Sequence, residues 1–214
     1  MLSRGARDGS DGGCSYFDHV SPSRSQLLVV RWSGSVIIEP TLISGIYRLV
    51  PDVHTDDRGQ FWRTFCQQEL AESGIDFSVC QSNVSVNPSE RTLRGFHYQR
   101  APSTEMKILT VLAGSLQAAI VDIRPDSPTF LSHLTFRFDV GDRSSLLVPE
   151  GCATGFLTLV DNTIVHYQMS DHYQPENYAG FRYDERLVGV SWLAEPVVIS
   201  NRDRNFVDLD PAVL

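Results

Sequence analysis

From Ser35 onward the chain alternates short apolar runs with clusters of turn-forming residues, beginning with "SVIIEPTLISGIYRLVPDVHTDDRGQFWRTF". The runs are rich in Val, Ile, Leu, Thr and Phe, are too short for helices, and are bounded by segments such as "PDVHTDDRG" and "VNPSE". That pattern predicts many short strands joined by turns. One helix is expected at "CQQELAESG", where good helix formers precede Gly74, a residue able to take the left-handed stop. "MKILTVLAGSLQAAIVDI" reads as a hairpin turning at Ala113-Gly114-Ser115, and "SLLVPEGCATGFLTLVDNTIVHYQM" as a second pair turning at Asp161-Asn162. The class is all-β, and periodicity alone does not separate a sandwich from a barrel; a double-sheet jelly roll suits this many short strands.

Composition narrows the picture. With 214 residues the chain has the length of one sizeable domain. Residues 1–35 are polar and rich in Gly and Ser and are expected to form a disordered extension, leaving 36–214 as a single folded domain. Against 18 Lys and Arg stand 26 Asp and Glu, so the formal charge of −8 gives no general attraction to nucleic acid or to an acidic membrane. An anionic ligand would need a local basic pocket. Cys14, Cys66, Cys80 and Cys152 form no C-x-x-C pair, which fits reduced thiols in a cytoplasmic protein. The early apolar run "LLVV" is far short of the roughly 18 residues of a membrane span.

The chemistry gathers around "TLRGFHYQR", residues 92–100, where His97 reads as a base, a metal ligand or a histidine filling a strand. No H-x-H occurs, and His19, His54, His133, His166 and His172 are scattered, so no metal is expected. Arg94 and Lys107 nearby argue against a closed core, because long cations avoid one unless they face an anion or a cleft. Strict strand alternation puts His97 and Arg94 on opposite faces. They share a site only if Gly95 permits a bulge, or if Arg94 precedes the regular strand.

"DDRGQFWRTF", "CQSNVSVN", "TLRGFHYQ", "MKILTVLAGSL", "VDIRPDSPTF", "VPEGCATGF", "YQMSDHYQP" and "GVSWL…VVISNRD" occur in order and at suitable spacings. Together they make the chain resemble the dTDP-4-dehydrorhamnose 3,5-epimerase family from about Ile37 to Asp210. The resemblance implies a metal-free, cofactor-independent cupin: a jelly-roll barrel with one or a few short helices, usually a homodimer. Its substrate would be a nucleoside diphosphate 4-keto-6-deoxy sugar. The C4 ketone acidifies the protons at C3 and C5, so epimerisation needs a base, an enolate stabiliser and an acid on the opposite face.

By the same resemblance His97 is the base, Asp203 orients it, Lys107 faces the C4 oxygen and Tyr167 is the acid. Arg58 and Arg94 match residues that hold the diphosphate, Gln81 and Asn83 match polar contacts to the nucleotide, and Arg202 stands where a basic residue is common. Three positions depart from the family: Thr154 replaces a second active-site histidine, and Arg63 and Tyr178 replace glutamates. These changes leave the chemical group intact and alter ligand-binding positions. They suit an altered nucleotide or sugar, or a reaction restricted to one carbon. A non-catalytic cupin that binds a nucleotide sugar is the competing reading, and a metal-dependent cupin the third.

Overall fold

The computed structural model describes residues 35–211 except residue 140, all within one compact unit. The extension expected over residues 1–35 therefore lies, apart from Ser35, outside the described residues. In chain order the elements are β1 (Val36–Pro40), β2 (Tyr47–Pro51), β3 (His54–Asp56), β4 (Gly59–Phe61), α1 (Gln67–Glu72), β5 (Gln81–Asn87), β6 (Thr92–Gln99) and β7 (Lys107–Ala113). They continue with β8 (Leu116–Asp122), β9 (His133–Phe138), β10 (Ser145–Val148), β11 (Cys152–Thr158), β12 (Thr163–Met169), β13 (Tyr178–Gly180), β14 (Val198–Ile199) and α2 (Asn201–Arg204).

Two sheets form the barrel. One runs β1-β2-β10-β7-β12-β5; the other runs β13-β6-β11-β8-β9, with β14 added in parallel to β6. The all-β expectation holds, and α1 forms where the helix was expected, followed by Gly74 at φ 78°. Both expected hairpins are corrected. β7 pairs with β10 and β12, whereas β8 pairs with β11 and β9, so the turn at Gly114 carries the chain from one sheet to the other. The turn at Asp161-Asn162 likewise joins β11 and β12 of opposite sheets. Each strand pair is an arch across the barrel.

The arches follow from burial on both faces. On β8, Ala118 and Ile120 pack into the cluster between the sheets, while Ala119 and Val121 pack outward against Phe181, Val188 and Trp192 of the C-terminal segment. On β10, Leu146 and Val148 face inward and Leu147 faces Leu70, Ile75 and Phe77 in and after α1. A strand covered on both sides reads as a continuous apolar run, and such a run does not reveal which sheet its neighbour joins.

At one corner Asp122 is buried and accepts hydrogen bonds from the Arg124 guanidinium and the hydroxyls of Ser127 and Thr129, 2.6–2.9 Å away. Burial opposes its ionisation, but these donors and the Arg124 amide outweigh it and hold the carboxyl at about 2. Among the described residues no helix is long and apolar enough to cross a membrane.

Because the folded-state value lies below that of an unfolded aspartate, Asp122 contributes stability above the ordinary carboxylate range and loses it as pH falls toward about 2. Urea denaturation should therefore show Asp122→Asn well below the parent at neutral pH, with the gap narrowing on acidification below about pH 4.

Candidate active site

Toward one end of the barrel the inward-facing positions change from apolar to polar. On β12 Val165 belongs to the core, while Tyr167 and Met169 line a cavity; on β7 Val111 is core, while Leu109 and Lys107 reach the cavity. The space measures about 450 Å³, enough for a large part of a nucleotide sugar. Eight of the twelve residues proposed from sequence line it: Gln81, Asn83, Arg94, His97, Lys107, Thr154, Tyr167 and Tyr178.

The parity conflict between Arg94 and His97 is resolved by a bulge. Thr154 of β11 stands opposite His97 and Phe156 opposite Arg94, so two steps on β11 match three on β6. Gly95 supplies the extra residue, at φ 121°, and the Gly95–Phe96 peptide is cis. Phe96 and Tyr98 then point to the outer core, while Arg94, His97 and Gln99 face the cavity. Only glycine suits this point: a Cβ on Gly95 would lie 2.5 Å from Gly155 Cα and 2.7 Å from Thr154 O.

Asp203 connects the bulge to the histidine. Its Oδ2 accepts from the Gly95 amide at 3.2 Å and its Oδ1 lies 2.8 Å from His97 Nε2. The carboxylate sits in the first turn of α2, where Ser200 caps the helix by accepting from the Asp203 amide. Burial opposes ionisation of Asp203, but His97, the Gly95 amide and Ser200 reverse that effect and hold it below the ordinary carboxylate value. An ionised carboxylate only accepts, so Nε2 carries the imidazole proton and the lone pair of neutral His97 is on Nδ1.

Around this pair, Arg94 Nε donates to buried Asn87 at 2.8 Å. Burial raises the Tyr167 phenol above its ordinary value despite the opposing charge of Arg94, so it is a neutral donor. Tyr178 stands with its ring centroid 5.3 Å from that of His97, and the Arg202 guanidinium carbon lies over the Tyr178 ring, 4.0 Å from its centroid. Burial and the charge of Asp203 raise the Tyr178 phenol as well, against Arg202. Thr154 Oγ1 reaches only the His97 carbonyl, at 3.5 Å.

Four of the proposed residues are not in the lining. Asp203 acts from behind His97, and Arg202 stacks on Tyr178. Arg58 is held to Asp56 on the exposed β3–β4 hairpin, and Arg63 pairs with Glu69 of α1, and neither lines this cavity. Sequence reasoning missed Gln99 and Glu105, which do line it. Gln99 lies two residues from His97 on β6, where strand alternation was the signal that would have found it, whereas Glu105 precedes β7 and no strand pattern marks it. Among the described residues no three His, Cys, Asp or Glu side chains converge as a metal-binding group.

A profile of the dTDP-4-dehydrorhamnose 3,5-epimerase family matches residues 40–210. The dTDP-4-dehydrorhamnose 3,5-epimerase of Methanothermobacter thermautotrophicus is 33% identical over 172 residues, covering 79% of this chain and 92% of that protein. Among solved structures, the Bacillus anthracis dTDP-4-dehydrorhamnose 3,5-epimerase with TDP and PPi bound is 31% identical and superposes with a TM-score of 0.79, over 82% of this chain and 100% of that one. A 3'-monoepimerase from Streptomyces bikiniensis in complex with dTDP-quinovose is 29% identical, with a TM-score of 0.74, over 79% of this chain and 86% of that one.

The bulge makes a direct prediction. Gly95→Ala should cost about 2–4 kcal/mol in urea denaturation, from the unfavourable backbone angle and the clash with β11. An unchanged midpoint would show that β6 has a different path.

Proposed function

The chain belongs to the dTDP-4-dehydrorhamnose 3,5-epimerase family, and on that premise we propose that it epimerises a dTDP-4-keto-6-deoxy sugar at C3, at C5 or at both, in deoxysugar biosynthesis. The observation that carries the reading is the hydrogen-bonded His97–Asp203 pair on the wall of a cavity that also holds Lys107 and Tyr167. His97 Nδ1 takes the proton from the carbon beside the ketone, and the electron pair moves onto the C4 oxygen as an enolate. Asp203 stabilises the imidazolium formed. The Lys107 ammonium offsets the enolate charge. Tyr167 returns a proton to carbon from the other face and is left as a phenolate, which regains a proton from solvent while the His97 imidazolium releases one to it. Arg94 grips the diphosphate, and Gln81 and Asn83 contact the nucleotide.

A reaction at one carbon is the second reading, and Thr154 favours it. The side chain there is short and neutral in place of the imidazole usual in the family, and it occupies the cavity wall directly opposite His97 in the strand register. We assign the protein to the cytoplasm, in keeping with free Cys66, Cys80 and Cys152, and to a homodimer. Val84 and Val86, 60% and 57% exposed on the edge strand β5, support association.

Incubation with dTDP-4-keto-6-deoxyglucose in deuterated water, followed by NMR, should show label entering C3, C5 or both. His97→Asn should reduce that rate by about 10²-fold or more, and Asp203→Asn by a comparable factor. A wild-type protein that binds the nucleotide sugar but exchanges neither proton would reduce it to a binding module. Light scattering in solution should give the mass of two chains, with Val84→Asp moving it toward one.

A further inference from the structure

Lys107 and Glu105 form an ion pair inside the cavity wall, Nζ to Oε1 2.9 Å, with only 6% and 9% of the two residues exposed. The second carboxylate oxygen, Oε2, accepts from Gln99 Nε2 at 2.8 Å. Gln99 cannot turn over, because its Oε1 accepts from the Gln174 amide at 2.8 Å and its Nε2 also faces the His172 carbonyl at 3.3 Å. Both oxygens of Glu105 are thus presented with donors, an arrangement that calls for an ionised carboxylate. A carboxylate this buried requires a positive partner, and the ammonium of Lys107 is that partner.

We propose that Glu105 is a positioning residue for the proton transfer: it keeps Lys107 a charged, fixed donor on the cavity wall, and Gln99 fixes Glu105 in turn. The inference rests on the reading that Lys107 faces the C4 oxygen. A neutral amine would stabilise an enolate weakly, and burial favours the neutral amine unless a negative charge stands beside it. Glu105 supplies that charge before substrate arrives. As the C4 oxygen becomes anionic, it meets an ammonium already oriented, so less reorganisation accompanies the step.

The other groups facing Lys107 do not replace Glu105. Tyr167 on β12 and Tyr178 on β13 are raised by burial and remain neutral, and Tyr173 lies on the loop between those strands. His97 and Arg94 on β6 contribute no negative charge. On β11 burial pushes the Cys152 thiol up to about 12, against the charges of Arg124 and Lys107, so it too is neutral. The neighbouring strand β10 offers Val148 opposite Lys107.

The test measures deuterium wash-in from a dTDP-4-keto-6-deoxy sugar across the neutral to alkaline range for the wild type, Glu105→Gln, Glu105→Asp, Lys107→Met and the double variant Glu105→Gln/Lys107→Met. Glu105→Gln should lower kcat about tenfold to a hundredfold while KM changes less than about threefold, and should move the alkaline limb of the profile to lower pH. Glu105→Asp should restore part of both. The double variant should be no slower than Lys107→Met, because Glu105 acts only through Lys107. An alkaline limb that stays in place, or a Glu105→Gln loss repeated in full on the Lys107→Met background, overturns the inference. Should Glu105→Gln not fold, Glu105→Asp decides by the same limb. Absence of wash-in by the wild type would defeat the epimerase reading itself, whereas an active wild type with an indifferent Glu105→Gln defeats only this proposal.

Discussion

A single carboxylate ties the local distortion of β6 to the chemistry the cavity offers. Asp203 receives the Gly95 amide with one oxygen and His97 with the other. The first contact satisfies the buried backbone donor of Gly95 at the bulge, which would otherwise cost about 1–3 kcal/mol. The second sets the tautomer of the imidazole. Without the bulge, Arg94 would turn away from the cavity; without Asp203, neither the bulge nor the ring would be held. Ser200 and the first turn of α2 place this carboxylate, so the C-terminal segment is part of the site although it adds only two short elements to the fold.

The barrel permits such a site because its strands are covered on both faces. Outward packing against α1 on one side and the C-terminal segment on the other frees the interior from having to be apolar throughout. At one end Leu116, Ile120, Leu146 and Val165 fill it; at the other, Lys107, Glu105, Gln99 and His97 leave it open. Buried charge is destabilising unless each group finds its partner. Here the partners are present in pairs: Lys107 with Glu105, and His97 with Asp203.

The positions that depart from the family lie at different depths. Thr154 and Tyr178 face the cavity, and Tyr178 carries the Arg202 guanidinium on its ring and stands beside His97. Arg63 is tied to Glu69 at the outer edge of α1.

Local sequence determined the strands, the helix over 67–72 and the importance of "TLRGFHYQ", since these depend on neighbours a few residues apart. Gly95 was also legible there, because two side chains of opposite parity had to meet. The sheet each strand joins was not: β7 and β8 look like a hairpin, yet the same apolar run suits an arch when both faces are buried. Nor were the pairings of Arg58 with Asp56 and Arg63 with Glu69, or the partnership of Glu105 with Gln99. His97 and Asp203 are 106 residues apart, and only closure of the barrel with α2 packed against β6 brings them to 2.8 Å. Sequence determined which groups were present; tertiary structure decided which of them meet, because charge pairing in a buried site depends on contacts between elements remote along the chain.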